Sequence, residues 1–197
     1  TSLSAYPNKI VSLAPSCTEI LFALDLGSKV VAVTDYDDYP YNFTAWVAAG
    51  NMTSVGAFDK PSIEVIASLA PDLILATAGV QGESIDTLRN LGYKVLVLDP
   101  ANISGVFNNI ELVGKATGKN AEASSLVNNL SNRIEAVVNK VANAASKPKV
   151  YYEVWFVTIS LLTGEIKPNV DVGEVNDPRG VRMDFYGDGD FSICVSI

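Results

Sequence analysis

Lys9-Ile-Val-Ser-Leu-Ala-Pro-Ser-Cys-Thr-Glu-Ile-Leu-Phe-Ala-Leu24 carries no charge between Lys9 and Glu19. Residues 10–13 form a short apolar run, as a strand buried on both faces of a parallel sheet should. The Pro15-Ser16 turn ends the strand. Ser16 and Glu19 have the spacing of a capping box, in which the serine oxygen accepts the N3 amide and the glutamate reaches back. The helix so opened carries Ile20, Leu21 and Leu24 and should stop near Gly27. A strand that ends in such a turn leaves backbone N–H groups at the mouth of a sheet, where open α/β proteins bind ligands.

The alternation continues outward from this unit. Strands are expected over 29–33, 73–76 and 94–98, and helices over 62–69, 84–91 and 103–117. Ser62 should cap the second helix, with Glu64 in its first turn. Pro71-Asp72, Gly92 and Asp99-Pro100 punctuate the elements. The loop Thr34-Asp-Tyr-Asp-Asp-Tyr-Pro-Tyr-Asn42 holds three tyrosines and three aspartates, and Trp46 follows it. From 121 to about 145 Leu126, Leu130, Ile134, Val137, Val138 and Val141 recur every three or four residues, the stripe of one long amphipathic helix. Strands alternating with helices give an α/β fold with a Rossmann-like parallel sheet. A strand is expected from 150 to 155. Beyond it the helical period disappears, and 157–162, 170–175, 181–186 and 191–197 read as strands. Gly187-Asp-Gly-Asp190 is a hairpin turn. Asp184, Asp188 and Asp190 do not follow the twelve-residue calcium loop and read as a solvated hairpin.

Composition narrows the function. The net charge is -8, which disfavours nucleic acid and anionic membrane surfaces as partners. The chain has no histidine, so the commonest metal ligand and general base are missing, and no metal or cofactor is expected. A Gly-x-Gly-x-x-Gly after the first strand, a P-loop and a nucleophile elbow are absent too, which argues against an enzyme of the doubly wound class. Cys17 and Cys194 could pair, but sequence gives no geometry for it. No stretch is long and apolar enough to span a bilayer. No signal peptide is visible, and Thr1 could begin a mature or trimmed chain.

The ordered residues resemble a known family. Lys9–Leu24, Val30-Val-Ala-Val-Thr-Asp-Tyr-Asp-Asp-Tyr-Pro40, Val55-Gly-Ala-Phe58, Pro61-Ser-Ile-Glu64, Ala70-Pro-Asp-Leu-Ile-Leu-Ala76, Leu91-Gly-Tyr-Lys-Val95 and Lys149-Val-Tyr-Tyr-Glu-Val-Trp155 are similar to the substrate-binding proteins of ABC importers for vitamin B12, iron siderophores and haem. The vitamin B12 branch is the nearest in pattern. The resemblance implies a first α/β lobe over 1–118, a long spine helix over 119–147 and a second lobe from 148 to 197. After Gly164 the chain departs from the family, so this second lobe is expected to be truncated or replaced and mostly β.

Roles follow from the local reading and the resemblance together. At the helix start Ser16 and Cys17 would offer backbone amides to a ligand, unless Ser16 serves only as the cap and Cys17 is buried. Tyr36, Tyr39 and Phe58 would wall the cleft, with Trp155 opposite; flat, partly apolar ligands such as corrinoids or porphyrins suit such walls. Glu64 would dock on permease arginines, as a carboxylate pairs with guanidinium, and Glu174 on the other lobe would be its counterpart. The implied function is extracytoplasmic capture, periplasmic or at the cell surface, of a corrinoid, haem or siderophore-like ligand, and delivery to a membrane permease. The alternative is a truncated or rebuilt lobe that folds and serves only as a structural or interaction domain.

Overall fold

The structure, a computed structural model, describes residues 6–144. Thr1–Val138 and Asn139–Ile197 are separate compact units. The sheet and the first five helices belong to the first unit, and the last described helix, Asn120–Val141, runs three residues past its end. The expected β-rich tail, Trp155, Glu174 and Cys194 lie outside the described residues.

Five parallel strands, β1 (Ile10–Ser12), β2 (Val30–Val33), β3 (Thr53–Ser54), β4 (Leu73–Ala76) and β5 (Val95–Val97), form one sheet in the order β3-β2-β1-β4-β5. Among the described residues six α-helices connect and flank them: α1 (Pro15–Ala23), α2 (Phe43–Ala48), α3 (Ile63–Leu69), α4 (Gly82–Asn90), α5 (Ile103–Thr117) and α6 (Asn120–Val141). Central strands are buried on both sides. Ile10, Leu73 and Leu75 face a core built with Cys17 and Leu21 of α1, Leu24 at its C-cap, Phe43 of α2 and Ile110 and Val113 of α5. Val11, Ile74 and Ala76 face the opposite core with Ile66 of α3 and Ile85 and Leu88 of α4. The side-chain period of two sends neighbours to opposite layers, and two apolar layers need an apolar residue at almost every position. That is why these strands read as continuous apolar runs.

From β1 the chain moves outward to β2 and β3, then crosses back past β1 to β4 and β5. The crossing puts a switch point between β1 and β4, and a crevice opens there beyond the carboxyl ends of the strands.

The capping box at Ser16 does not form. Ala14 is the N-cap in extended conformation, no side chain caps the helix, and Pro15 takes its first turn. Proline is pre-set for that position and has no N–H to satisfy, so it starts the helix two residues before the Ser16 frame. The helix also stops earlier than Gly27. Asp25 adopts φ 58°, its N–H donates to the Phe22 carbonyl (3.1 Å), and Leu26 N–H donates to that of Leu21 (2.9 Å). This is a Schellman closure built on aspartate. The same closure ends α4, where Tyr93 N–H reaches Leu88 O (3.0 Å) and Gly92 supplies φ 89°, as the sequence predicts. Ser62 caps α3 as expected, its hydroxyl oxygen accepting from Val65 N–H (3.3 Å). Helix α2 and the two-residue strand β3 are additions, since a six-residue helix and a two-residue strand show too little period to be read.

Helix α5 meets α6 closely at Gly114. A Cβ there would stand 2.5 Å from the Ala123 Cβ, so only glycine fits. Along α6 the predicted stripe is half used. Leu126, Val127 and Leu130 pack against the core, whereas Val137, Val138 and Val141 are more than half exposed.

Asp72 and Cys17 give this packing measurable consequences. Asp72 Oδ2 accepts from the N–H groups of Asn8 (2.8 Å) and Lys9 (2.9 Å), tying the start of β1 to that of β4. These two bonds, Asn8's first, hold the carboxyl below its ordinary value of 3.8. A depressed native pKa stabilises above the unfolded value, and this stability is lost as pH falls through the native one. Asp72→Asn should therefore lower stability slightly at pH 7, the group being exposed and solvent-screened, and the loss should fade as the pH falls through the lowered native pKa; urea melts at pH 7 and in acid check this. The Cys17 thiol is pushed up to about 12 by burial and then by the charge of Asp37, against a hydrogen bond from Ser16. At pH 8 the thiol is therefore almost wholly protonated. In a Cys194→Ser background Cys17 should resist maleimide until the protein unfolds; labelling of the native protein at a free-thiol rate would contradict its burial.

Candidate functional site

All five strands run parallel, so the loops that follow them emerge on one edge of the sheet. The turn after β1 is fixed by buried hydroxyls. Thr18 Oγ1 donates to Ser12 Oγ (2.7 Å), and Ser12 Oγ donates to the Ala14 carbonyl (3.1 Å). Ser16 is exposed at this turn. Cys17 is not: its side chain is buried in the core, and its N–H donates to the Ala14 carbonyl (3.0 Å). The expectation that Cys17 offers its amide to a ligand is therefore corrected. With Ala14 as N-cap, position 17 falls on the inward face of α1 and its N–H closes the first turn.

The loop after β2 carries Tyr36 and Tyr39, 63% and 64% exposed. It is held from below. Asp37 is buried and its Oδ2 accepts from the Thr34 N–H (2.9 Å) and the Thr34 hydroxyl. Its Oδ1 is also buried and has no hydrogen-bond partner among the described residues. Asp35 N–H donates to the Gly56 carbonyl (3.0 Å), the Ser54 hydroxyl donates to Asp35 Oδ1, and Gly56 N–H donates to Ser54 Oγ (2.9 Å). The loops after β2 and β3 are thus joined, which brings the segments of Tyr36 and Phe58 side by side. Farther along, Tyr41 stacks on Trp46 with ring centroids 4.9 Å apart, and Phe22 and Phe43 meet this pair edge-on. Trp46 belongs to this packing.

Phe58 is half-buried against the core that also contains α1. Its carbonyl accepts from Gln81 Nε2 (2.8 Å). Gln81 is fully buried in the loop after β4. Its Nε2 also donates to the Leu13 carbonyl, and its Oε1 accepts from Thr77 N–H (3.0 Å). Glu64 stands exposed in the first turn of α3, just past the Phe58 loop.

Four of the residues singled out from sequence therefore lie at one edge of the sheet, Ser16 in the first turn of α1 and Tyr36, Tyr39 and Phe58 on the loops after β2 and β3. Gln81 and Asp37, which organise those loops, were not singled out. Asp37 carried a faint signal, since Thr34 and Asp37 have the i, i+3 spacing of a side chain that accepts a nearby N–H. Gln81 carried none, because its two carbonyl partners lie 68 and 23 residues away. Among the described residues no group of His, Cys, Asp or Glu is arranged to hold a metal ion. None of the described helices is long and apolar enough to cross a membrane.

Known proteins resemble this chain in sequence and fold. An ABC transporter substrate-binding lipoprotein of uncharacterised role, YvrC of Bacillus subtilis (strain 168), is 37% identical over 138 residues, 68% of this chain and 42% of that protein. The vitamin B12-binding protein of Vibrio vulnificus (strain YJ016) is 29% identical over 169 residues, 85% of this chain and 59% of that one. Among solved structures, the periplasmic vitamin B12 binding protein BtuF of Vibrio cholerae superposes with a TM-score of 0.60 at 30% identity, covering 70% of this chain and 52% of the other. A possible iron-binding (periplasmic solute-binding) protein of Staphylococcus epidermidis ATCC 12228 gives a TM-score of 0.65 at 27% identity, covering 77% and 58%. The chain spans about half the length of these relatives. The periplasmic binding protein pattern matches residues 10–167, and on a match of that extent this chain belongs to the periplasmic binding protein family.

Proposed function

We propose that this chain acts as the substrate-binding component of an ABC importer, outside the cytoplasm, capturing a cobalamin-like or chelated-iron ligand and delivering it to a membrane permease. The observation that carries this reading is the pair of exposed tyrosines on a pinned loop after β2, beside the Phe58 loop after β3, at the carboxyl edge of the sheet. A folded domain gains nothing in stability by leaving two large rings nearly two-thirds exposed, whereas a flat, partly apolar ligand buries them. Relatives named for vitamin B12 binding and for iron binding support the ligand class. The chemistry proposed is capture and release, with no covalent step.

In this reading Ser16 borders the crevice, Tyr36, Tyr39 and Phe58 wall it, and Glu64 contacts the permease. Exposure in the first turn of a capped helix suits Glu64 to accept a bidentate arginine; support of the helix dipole is the role it would keep without a partner. Trp155 and Glu174 are proposed as the opposing wall and the second docking carboxylate.

Titration with cyanocobalamin, haem and a ferric siderophore, followed by tryptophan fluorescence and equilibrium dialysis, tests the reading. One of the three should bind with Kd below about 100 μM, or about -5.5 kcal/mol; failure of all three would overturn it. Glu64→Ala should leave that Kd unchanged and lower ligand uptake in vesicles that contain the permease. Weakened ligand binding in this variant would place Glu64 in the crevice and end its docking role.

A further inference from the structure

Gln81 satisfies three strand-end loops at once. Its Nε2 faces two carbonyls, Leu13 O after β1 and Phe58 O after β3, and its Oε1 faces the Thr77 N–H after β4. Only one orientation of the amide fits two acceptors and one donor. The side chain is wholly buried, so water cannot replace any partner, and a buried carbonyl left without a donor is costly. Among the described residues its bond to Phe58 is the one hydrogen bond that connects residues 56–61 to the loops after β1 and β4. The other hydrogen bonds that leave this segment run to Asp35 and Ser54, on the side of β2 and β3.

We infer that Gln81 is a positioning residue of the crevice. It clamps the backbone of Phe58 to the floor formed by Leu13 and Thr77, and ligand affinity depends on it although its amide is turned away into protein. This inference rests on the ligand-capture reading for its effect on affinity, and on geometry alone for the clamp. A neutral amide is required. A carboxylate at 81 would set oxygen against two carbonyl oxygens, and an apolar side chain would leave both carbonyls unpaired.

The clamp is tested first without any ligand. In the unaltered protein the Gln81 side-chain NH2 pair should exchange with solvent far more slowly than exposed glutamine amides, read by 15N NMR. In Gln81→Met, close in volume, deuterium uptake over residues 56–61 should rise at least tenfold in rate, while β1 and β4 stay protected. Fast exchange of the NH2 pair, or unchanged uptake over 56–61 in a folded variant, overturns the clamp. Affinity is tested by a double-mutant cycle with whichever of cyanocobalamin, haem or ferric siderophore the unaltered protein binds. Gln81→Met should weaken binding about tenfold, the scale of one net hydrogen bond, and Phe58→Ala should weaken it too. If Gln81 acts through Phe58, the double variant binds no more weakly than Phe58→Ala alone; losses that multiply would make Gln81 a general stability residue and overturn the positioning role. Should the unaltered protein bind none of the three probes, the capture reading and the effect on affinity fail together, while the NMR and exchange results still decide the clamp.

Discussion

Strand β1 pairs with β2 on one side and β4 on the other, and helices cover both faces of it. No group of this strand meets water, so every backbone N–H and carbonyl must find a partner in the protein. The ladder supplies partners until the strand ends, and Leu13 N–H still reaches Leu75 O (2.9 Å). The Leu13 carbonyl lies just past the end of the strand, where the chain turns into α1. Gln81 supplies its donor. The same requirement explains the buried Ser12 and Thr18 hydroxyls, which stabilise the turn from within where a helix cap is missing. The crevice edge is therefore a place where side chains complete what the sheet leaves undone, and its shape follows from which side chains they are.

The core was legible because its rule is local. Ile10, Val11, Leu73, Ile74 and Leu75 announce a doubly covered strand by the lack of any polar alternation. Gly92 and Ser62 announce helix ends by chemistry that acts within a few residues. Reading failed where two local rules competed. At Pro15-Ser16 both proline at the first helical position and serine as a cap were available, and the proline prevailed because its fixed φ already matches the helix. Cys17 was misplaced with it: with the helix starting two residues earlier, its N–H closes the first turn on the Ala14 carbonyl. The crevice was legible only in its aromatic residues. Its scaffolding runs from Gln81 to Leu13 and Phe58 and from Ser54 to Asp35, contacts between segments far apart in the chain, and nothing in residues 79–82 marks Gln81 apart from its neighbours.

The stripe along α6 separates two uses of one pattern. Its first half, with Leu126 and Leu130, packs on the core beside α5, where Gly114 lets Ala123 come close. Its second half keeps the same period with no partner among the described residues. A uniform apolar repeat therefore says that a face is meant to be covered and does not say by what. The spacing alone could not divide the helix at Leu130.

Exposure of Tyr36 and Tyr39 has a different character from that of Val137 or Val138. The valines lie on a helix surface, whereas the tyrosines ride on a loop held at both ends. Asp37 fastens its middle to Thr34, and Asp35 joins it to Gly56 and Ser54. A loop fixed before the ligand arrives does not have to be ordered on binding, and each rotamer-rich side chain that is ordered costs about 0.5–1.5 kcal/mol. Tyrosine adds large contact area with only two side-chain torsions to restrict. Asp37 extends the argument. One carboxylate oxygen carries both Thr34 bonds, and the other is buried without a partner among the described residues, so the loop keeps a desolvated oxygen in return for its rigidity.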